Sequence, residues 1–97
     1  MNYFYVRESP YQIGKYVVAH DHASLHLTST IGSFNIIGAR LFNLSFANYL
    51  RMCRDIYGAT LIGKNHKYPV PYFSSSEDAK RLVDNLNERA ELVFKNV

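Results

Sequence analysis

Long apolar runs are missing from this chain, tryptophan is absent, and cysteine occurs once, at Cys53. Without some twenty consecutive apolar residues no membrane-spanning helix is expected, and no basic segment precedes an apolar one as a secretory leader requires. A single cysteine excludes an internal disulfide and suits a reducing compartment, so the expected location is cytoplasmic. No linker, internal repeat or low-complexity tract interrupts the 97 residues, and the whole chain, 1–97, reads as a single domain. Gly32 and Gly38 bracket a segment with no Lys-Ser/Thr after it, which excludes a phosphate loop. Paired carboxylates are absent before Glu77. An enzyme is not expected, and no cofactor is called for.

What is present is aromatic and basic. Apolar residues make up 47% of the chain, enough for a packed core and too many for disorder. Eight Tyr and six Phe exceed what a small core takes up, and Tyr suits surfaces that bind. The net charge of +3 is unevenly spread: residues 1–73 hold seven Lys/Arg against three acids, residues 74–97 four against five. Between Arg40 and Lys67, five basic residues face only Asp55. Such a cluster attracts phosphate or an acidic protein face, although a solvated surface has the same composition.

Asn2–Arg7 and Lys15–His20 are β-branched and aromatic and predict two strands joined as a hairpin, with Ser9-Pro10 and Gly14 in a long connection. Leu25–Thr28 and Phe34–Ile37 predict a third and a fourth strand. From Ser45 to Tyr57 the pattern turns helical: Phe46, Tyr49, Leu50, Cys53, Ile56 and Tyr57 share one face, Ser45 suits the N-cap and Gly58 the turn beyond the end. Arg51 and Asp55, four apart on the wet side, are spaced to pair. Ala59–Phe73 reads as a hairpin. Pro69 and Pro71 make its second strand an edge with the missing donors turned outward. Ser74 with Glu77 and Ser75 with Asp78 form overlapping capping boxes for a closing helix. Its buried stripe is Ala79, Leu82, Val83, Leu86 and Ala90; past Glu88, Val93 and Val97 continue it as helix, the favoured reading, while Leu92-Val93-Phe94 also suits a last short strand. The fold class is therefore α+β: an antiparallel sheet with two amphipathic helices packed on one face.

Three constellations carry chemistry on paper. His20, His22 and His26 are metal-ligand types, with His66 or Cys53 as a fourth, and would found a metal-dependent enzyme. However, His20 with His22 shares a face only on a strand, and His22 with His26 only on a helix, so a polar turn is the simpler reading. His26-Leu27-Thr28 spells the element of a two-histidine phosphoesterase, yet no second copy follows. Cys53 lies on the apolar stripe, where a cysteine acts as a small hydrophobe, not a nucleophile.

The tip of the Ala59–Phe73 hairpin is the better working surface. Lys64, Asn65, His66, Lys67 and Tyr68 stand in a turn, where side chains reach outward toward phosphate, bases or a partner's pocket. Arg51 and Arg54 extend that basic surface along the preceding helix. From Tyr49 to Arg89, the order Tyr57-Gly58-Ala59, Ile62-Gly63-Lys64, Tyr68-Pro69, Tyr72-Phe73, Leu82-Val83 and Leu86-Asn87 resembles small uncharacterised bacteriophage-encoded proteins of the host-defence-inhibitor (anti-CRISPR-like) type. The resemblance implies an inhibitor that docks on a host protein or nucleoprotein complex. Tyr72 to Asn87 is also similar to the third strand and second helix of RNA-recognition motifs, without their aromatic stacking strand. The expected function is non-catalytic binding through Arg51, Arg54 and Lys64–Tyr68, with direct nucleic-acid binding as the alternative. So small and aromatic a domain also suits a homodimer.

Overall fold

In the computed structural model, which describes residues 3–9, 12–20, 37–63 and 70–94, the chain opens with antiparallel strands β1 (Phe4–Glu8) and β2 (Tyr16–His20). Phe4 and Val18 are buried, while Tyr5 and Arg7, out of phase with them, are exposed. That is the period of two expected when one sheet face covers a core. The Ser9 N–H donates to the Lys15 carbonyl at 2.8 Å, which sets the alternation of the ladder. Arg7 and Tyr5 bond to β2; Phe4, Val6 and Glu8 turn their backbone groups toward the edge away from β2.

A short helix, α1 (residues 37–41), follows. Ile37 was expected to end a strand and is helical instead. Ile37 and Leu41 are four apart and both pack on the core around buried Ala39, so helical spacing outweighs the β-propensity of isoleucine. Phe34, Asn35 and Ile36, and the expected strand Leu25–Thr28, lie outside the described residues. Asn43, at φ 55°, closes α1 in the left-handed conformation. Its N–H donates to the Arg40 carbonyl at 3.0 Å and that of Leu44 to the Ala39 carbonyl at 2.9 Å, the pair of bonds that satisfies a helix end.

The next helix, α2 (Phe46–Asp55), starts where Ser45 Oγ accepts from the Asn48 N–H at 3.2 Å. It ends where Gly58, at φ 74°, turns the chain so that the Ala59 N–H meets the Cys53 carbonyl at 2.9 Å. Tyr49, Leu50, Cys53 and Tyr57 are buried. Ile56 is not: it is 63% exposed, because it sits at the C-cap on the flank of the stripe.

The second hairpin pairs β3 (Thr60–Ile62) with β4 (Val70–Tyr72), Leu61 opposite Pro71. Beyond β4, Tyr16 and Phe73 exchange two backbone bonds, 2.7 and 2.8 Å, so β2 and β4 touch at one bridge. Continuing that register by two residues sets Val18 opposite Pro71, which has no N–H to give. Among the described residues the expected single sheet is therefore two two-stranded sheets joined at one point. Pro71 does turn its missing donor away from β3, as expected, but it is buried rather than on a wet edge.

The closing helix is α3 (Ser76–Phe94). Of the two expected capping serines, Ser75 acts: its Oγ accepts from the N–H groups of Glu77 (3.2 Å) and Asp78 (3.4 Å). Ser74 Oγ instead accepts from Lys15 Nζ at 3.0 Å, tying the first hairpin to the second. Ala79, Leu82, Val83, Leu86 and Ala90 are all buried, as their spacing predicts. Val93 departs from the expected stripe, being 51% exposed beside Leu92 at 69%; Val97 lies outside the described residues. The helix outruns the strands it covers. With α3 on β1 and β2, and α2 against β3 and β4, the chain forms a single α+β globule 35 × 25 × 24 Å across.

Candidate interaction surface

Because α2 buries the face of Tyr49 and Cys53, its opposite side is exposed, and Asn48, Arg51, Arg54 and Asp55 occupy it. The expected Arg51–Asp55 pair is not made. Asp55 is held by its neighbour: Arg54 Nε donates to Oδ1 at 2.8 Å and Arg54 Nη2 to Oδ2 at 3.2 Å. This two-pronged bond keeps the Asp55 carboxyl below, and the Arg54 guanidinium above, its ordinary range. Arg51 donates to Asn48 Oδ1 at 3.4 Å and keeps its charge available. Arg40, at the end of α1, is exposed as well. Of the five basic residues between Arg40 and Lys67, the three described ones, Arg40, Arg51 and Arg54, are thus all exposed, and Arg54 is paired with Asp55. Lys64, Asn65, His66, Lys67 and Tyr68 lie outside the described residues; the β3–β4 ladder reaches Ile62 opposite Val70, on either side of them.

Of the histidines, His20 ends β2, and His22, His26 and His66 lie outside the described residues. Among the described residues no three of His, Cys, Asp and Glu gather closely enough to hold a metal ion. Cys53 is fully buried, and burial pushes its thiol up to about 12. A thiol so placed is a packing group. Among the described residues no helix is long and apolar enough to cross a membrane.

Two side chains carry more than their sequence context suggested. The first is Asn87, on the flank of α3. Its Oδ1 accepts from the Phe4 N–H at 2.7 Å and its Nδ2 donates to the Phe4 carbonyl at 3.0 Å, so the amide stands in for a neighbouring strand at one point of the β1 edge. A poor helix former bordering an apolar stripe was the available signal. The second is Tyr49, whose buried hydroxyl has no hydrogen-bond partner among the described residues. Burial pushes the Tyr49 hydroxyl well above the ordinary tyrosine range. The Cys53 thiol lies beside it as a weak O–H···S contact, short of full hydrogen-bond geometry, that raises the hydroxyl further and partly offsets the rise of the thiol. No protein-family model, curated protein or solved structure matches the chain.

Proposed function

We propose that this chain is a non-catalytic binding protein that docks on an acidic surface of a host protein or nucleoprotein complex in the bacterial cytoplasm. Its contact surface is the outer face of α2 with the basic segment that follows β3. The observation that carries this reading is the placement of Arg51: exposed on α2, bonded only to a neutral amide, in the part of the sequence where basic residues outnumber acids five to one. An exposed guanidinium that, among the described residues, makes no ion pair of its own is suited to a carboxylate or phosphate on a partner. The burial of Cys53 favours binding over nucleophilic catalysis. The likeness to small phage-encoded inhibitors directs the choice of partner toward a complex that handles nucleic acid.

The test is capture from a bacterial lysate on immobilised protein, comparing the wild type with Arg51→Glu/Arg54→Glu and Lys64→Ala/Lys67→Ala variants. A partner that the wild type retains and both variants lose is the expected result. Equal retention by all three overturns the surface assignment. A gel shift of naked DNA or RNA that weakens steeply with salt would make direct nucleic-acid binding the better reading.

A further inference from the structure

The orphan hydroxyl of Tyr49 lies under α1. A methyl group added at Gly38 would stand 2.6 Å from Tyr49 Oη and 2.7 Å from Cζ, so the α1 backbone presses directly on the phenol. That contact leaves no room for a bridging water between the two. A buried hydroxyl whose one polar contact among the described residues is a weak one to a thiol disfavours the state that buries it, and here relief requires α1 to move.

Residues 37–44 are built to move as a unit. Among the described residues three backbone hydrogen bonds close within it: the Phe42 N–H to the Gly38 carbonyl (3.2 Å), that of Asn43 to Arg40 and that of Leu44 to Ala39. The left-handed turn at Asn43 ends the unit just before Ser45, the cap of α2. A polar tie joins it to α3: the Arg89 guanidinium lies 4.2 Å from the Phe42 ring centroid and donates through Nη1 to the Leu41 carbonyl at 3.4 Å. The Phe42 ring, 6.1 Å from that of Tyr49, covers the phenol from the same side.

We propose that residues 37–44 form a hinged cover, latched by Arg89, whose opening lets water reach Tyr49 Oη and gives reagents access to the Cys53 thiol. Opening is local, with β1–β4 and α3 in place, and closing shields the chain's one thiol. The cover is independent of the docking surface proposed above, and either can fail without the other.

The rate at which N-ethylmaleimide labels Cys53 in the folded full-length chain tests this. Cys53 is the sole cysteine, so labelling reports one position. Local opening predicts a rate that barely changes with low urea, whereas global unfolding carries its full denaturant slope. Arg89→Met, which keeps an apolar stem and loses the latch, should speed labelling about fivefold. Tyr49→Phe, which removes the orphan hydroxyl, should slow it roughly tenfold. A rate that climbs from the first addition of urea with the slope of global unfolding overturns the cover. So does an Arg89→Met effect no larger than its loss of global stability.

Discussion

The two long helices bury their inner faces in different ways. α3 puts Ala79, Leu82, Val83, Leu86 and Ala90 inward, side chains without a polar atom, while α2 and the turn after it put in Tyr49, Cys53 and Tyr57 beside Leu50. Each of those polar atoms then needs an answer. Tyr57 Oη has one, accepting from Asn85 Nδ2 at 2.6 Å, with Arg81 5.5 Å from its ring centroid. Tyr49 Oη has none among the described residues. An aliphatic face depends on shape alone, whereas a face bearing hydroxyls and a thiol is also sensitive to protons and to small displacements.

Alkali should expose that difference most strongly. The Cys53 thiol is raised from an ordinary value of 9.0 to about 12, and Tyr49 is raised as well, in both cases chiefly by burial. A group whose folded-state pKa is raised stabilises fully below its unfolded pKa, and that contribution fades as pH climbs to the folded value. Stability should therefore be flat up to about pH 9 and fall between 9 and 12, through the weakness of α2 rather than α3. Circular dichroism against pH checks this. Cys53→Ala should shift the fall upward, and an unchanged curve would show that the thiol takes no part.

Next in size is a cavity on the aliphatic side. Leu86 is fully buried in the middle of α3, and Leu86→Ala should cost about 3 kcal/mol in urea unfolding. A loss under about 1 kcal/mol would mean that this face repacks easily and that the contrast with α2 is overstated.

Asn87→Ala is the third. It leaves the Phe4 N–H and carbonyl without their partner, at a cost of roughly 1–2 kcal/mol. It also removes a guard. Two copies of β1 pairing about Val6 would meet Asn87 at Phe4, and pairing shifted by one step would set Arg7 against Arg7. The amide and the charges thus shield the edge. Light scattering should show the variant forming larger species than the wild type at the same concentration, and identical profiles would remove this role from Asn87.

How much of this was readable beforehand depends on how far apart the partners are. The α3 stripe, the Ser45 cap and the Ala59–Phe73 hairpin follow from neighbours a few residues apart, and all three are present. Asn87 and Phe4 are 83 residues apart, and no local pattern announces their bond. The break between the two sheets has the same origin: Pro71 is visible in the sequence, but its effect requires knowing that Tyr16 meets Phe73. Ile56 and Val93 mislead for another reason, since periodicity continues past the point where a helix still has something to pack on. Of the expected contact surface, Arg51 and Arg54 lie on the exposed side of α2 as their spacing required, and their pairing differs because Asp55 is within reach of an adjacent side chain.

That pairing sets up the smallest expected effect on stability, and the most telling one for function. Arg54 and Asp55 are both well exposed, at 54% and 59%, and their bond competes with water and salt at every moment. Arg51→Ala and Arg54→Ala should each leave the urea midpoint within experimental error of the wild type. If these side chains serve a partner, the same substitutions should separate from each other in binding. Arg51→Ala should weaken capture more than Arg54→Ala, because Arg54 must first loosen its hold on Asp55. Asp55→Ala, which frees Arg54 altogether, should strengthen capture. Were Asp55→Ala to weaken it instead, the carboxylate would itself be a contact and the docking face would be read with the wrong sign.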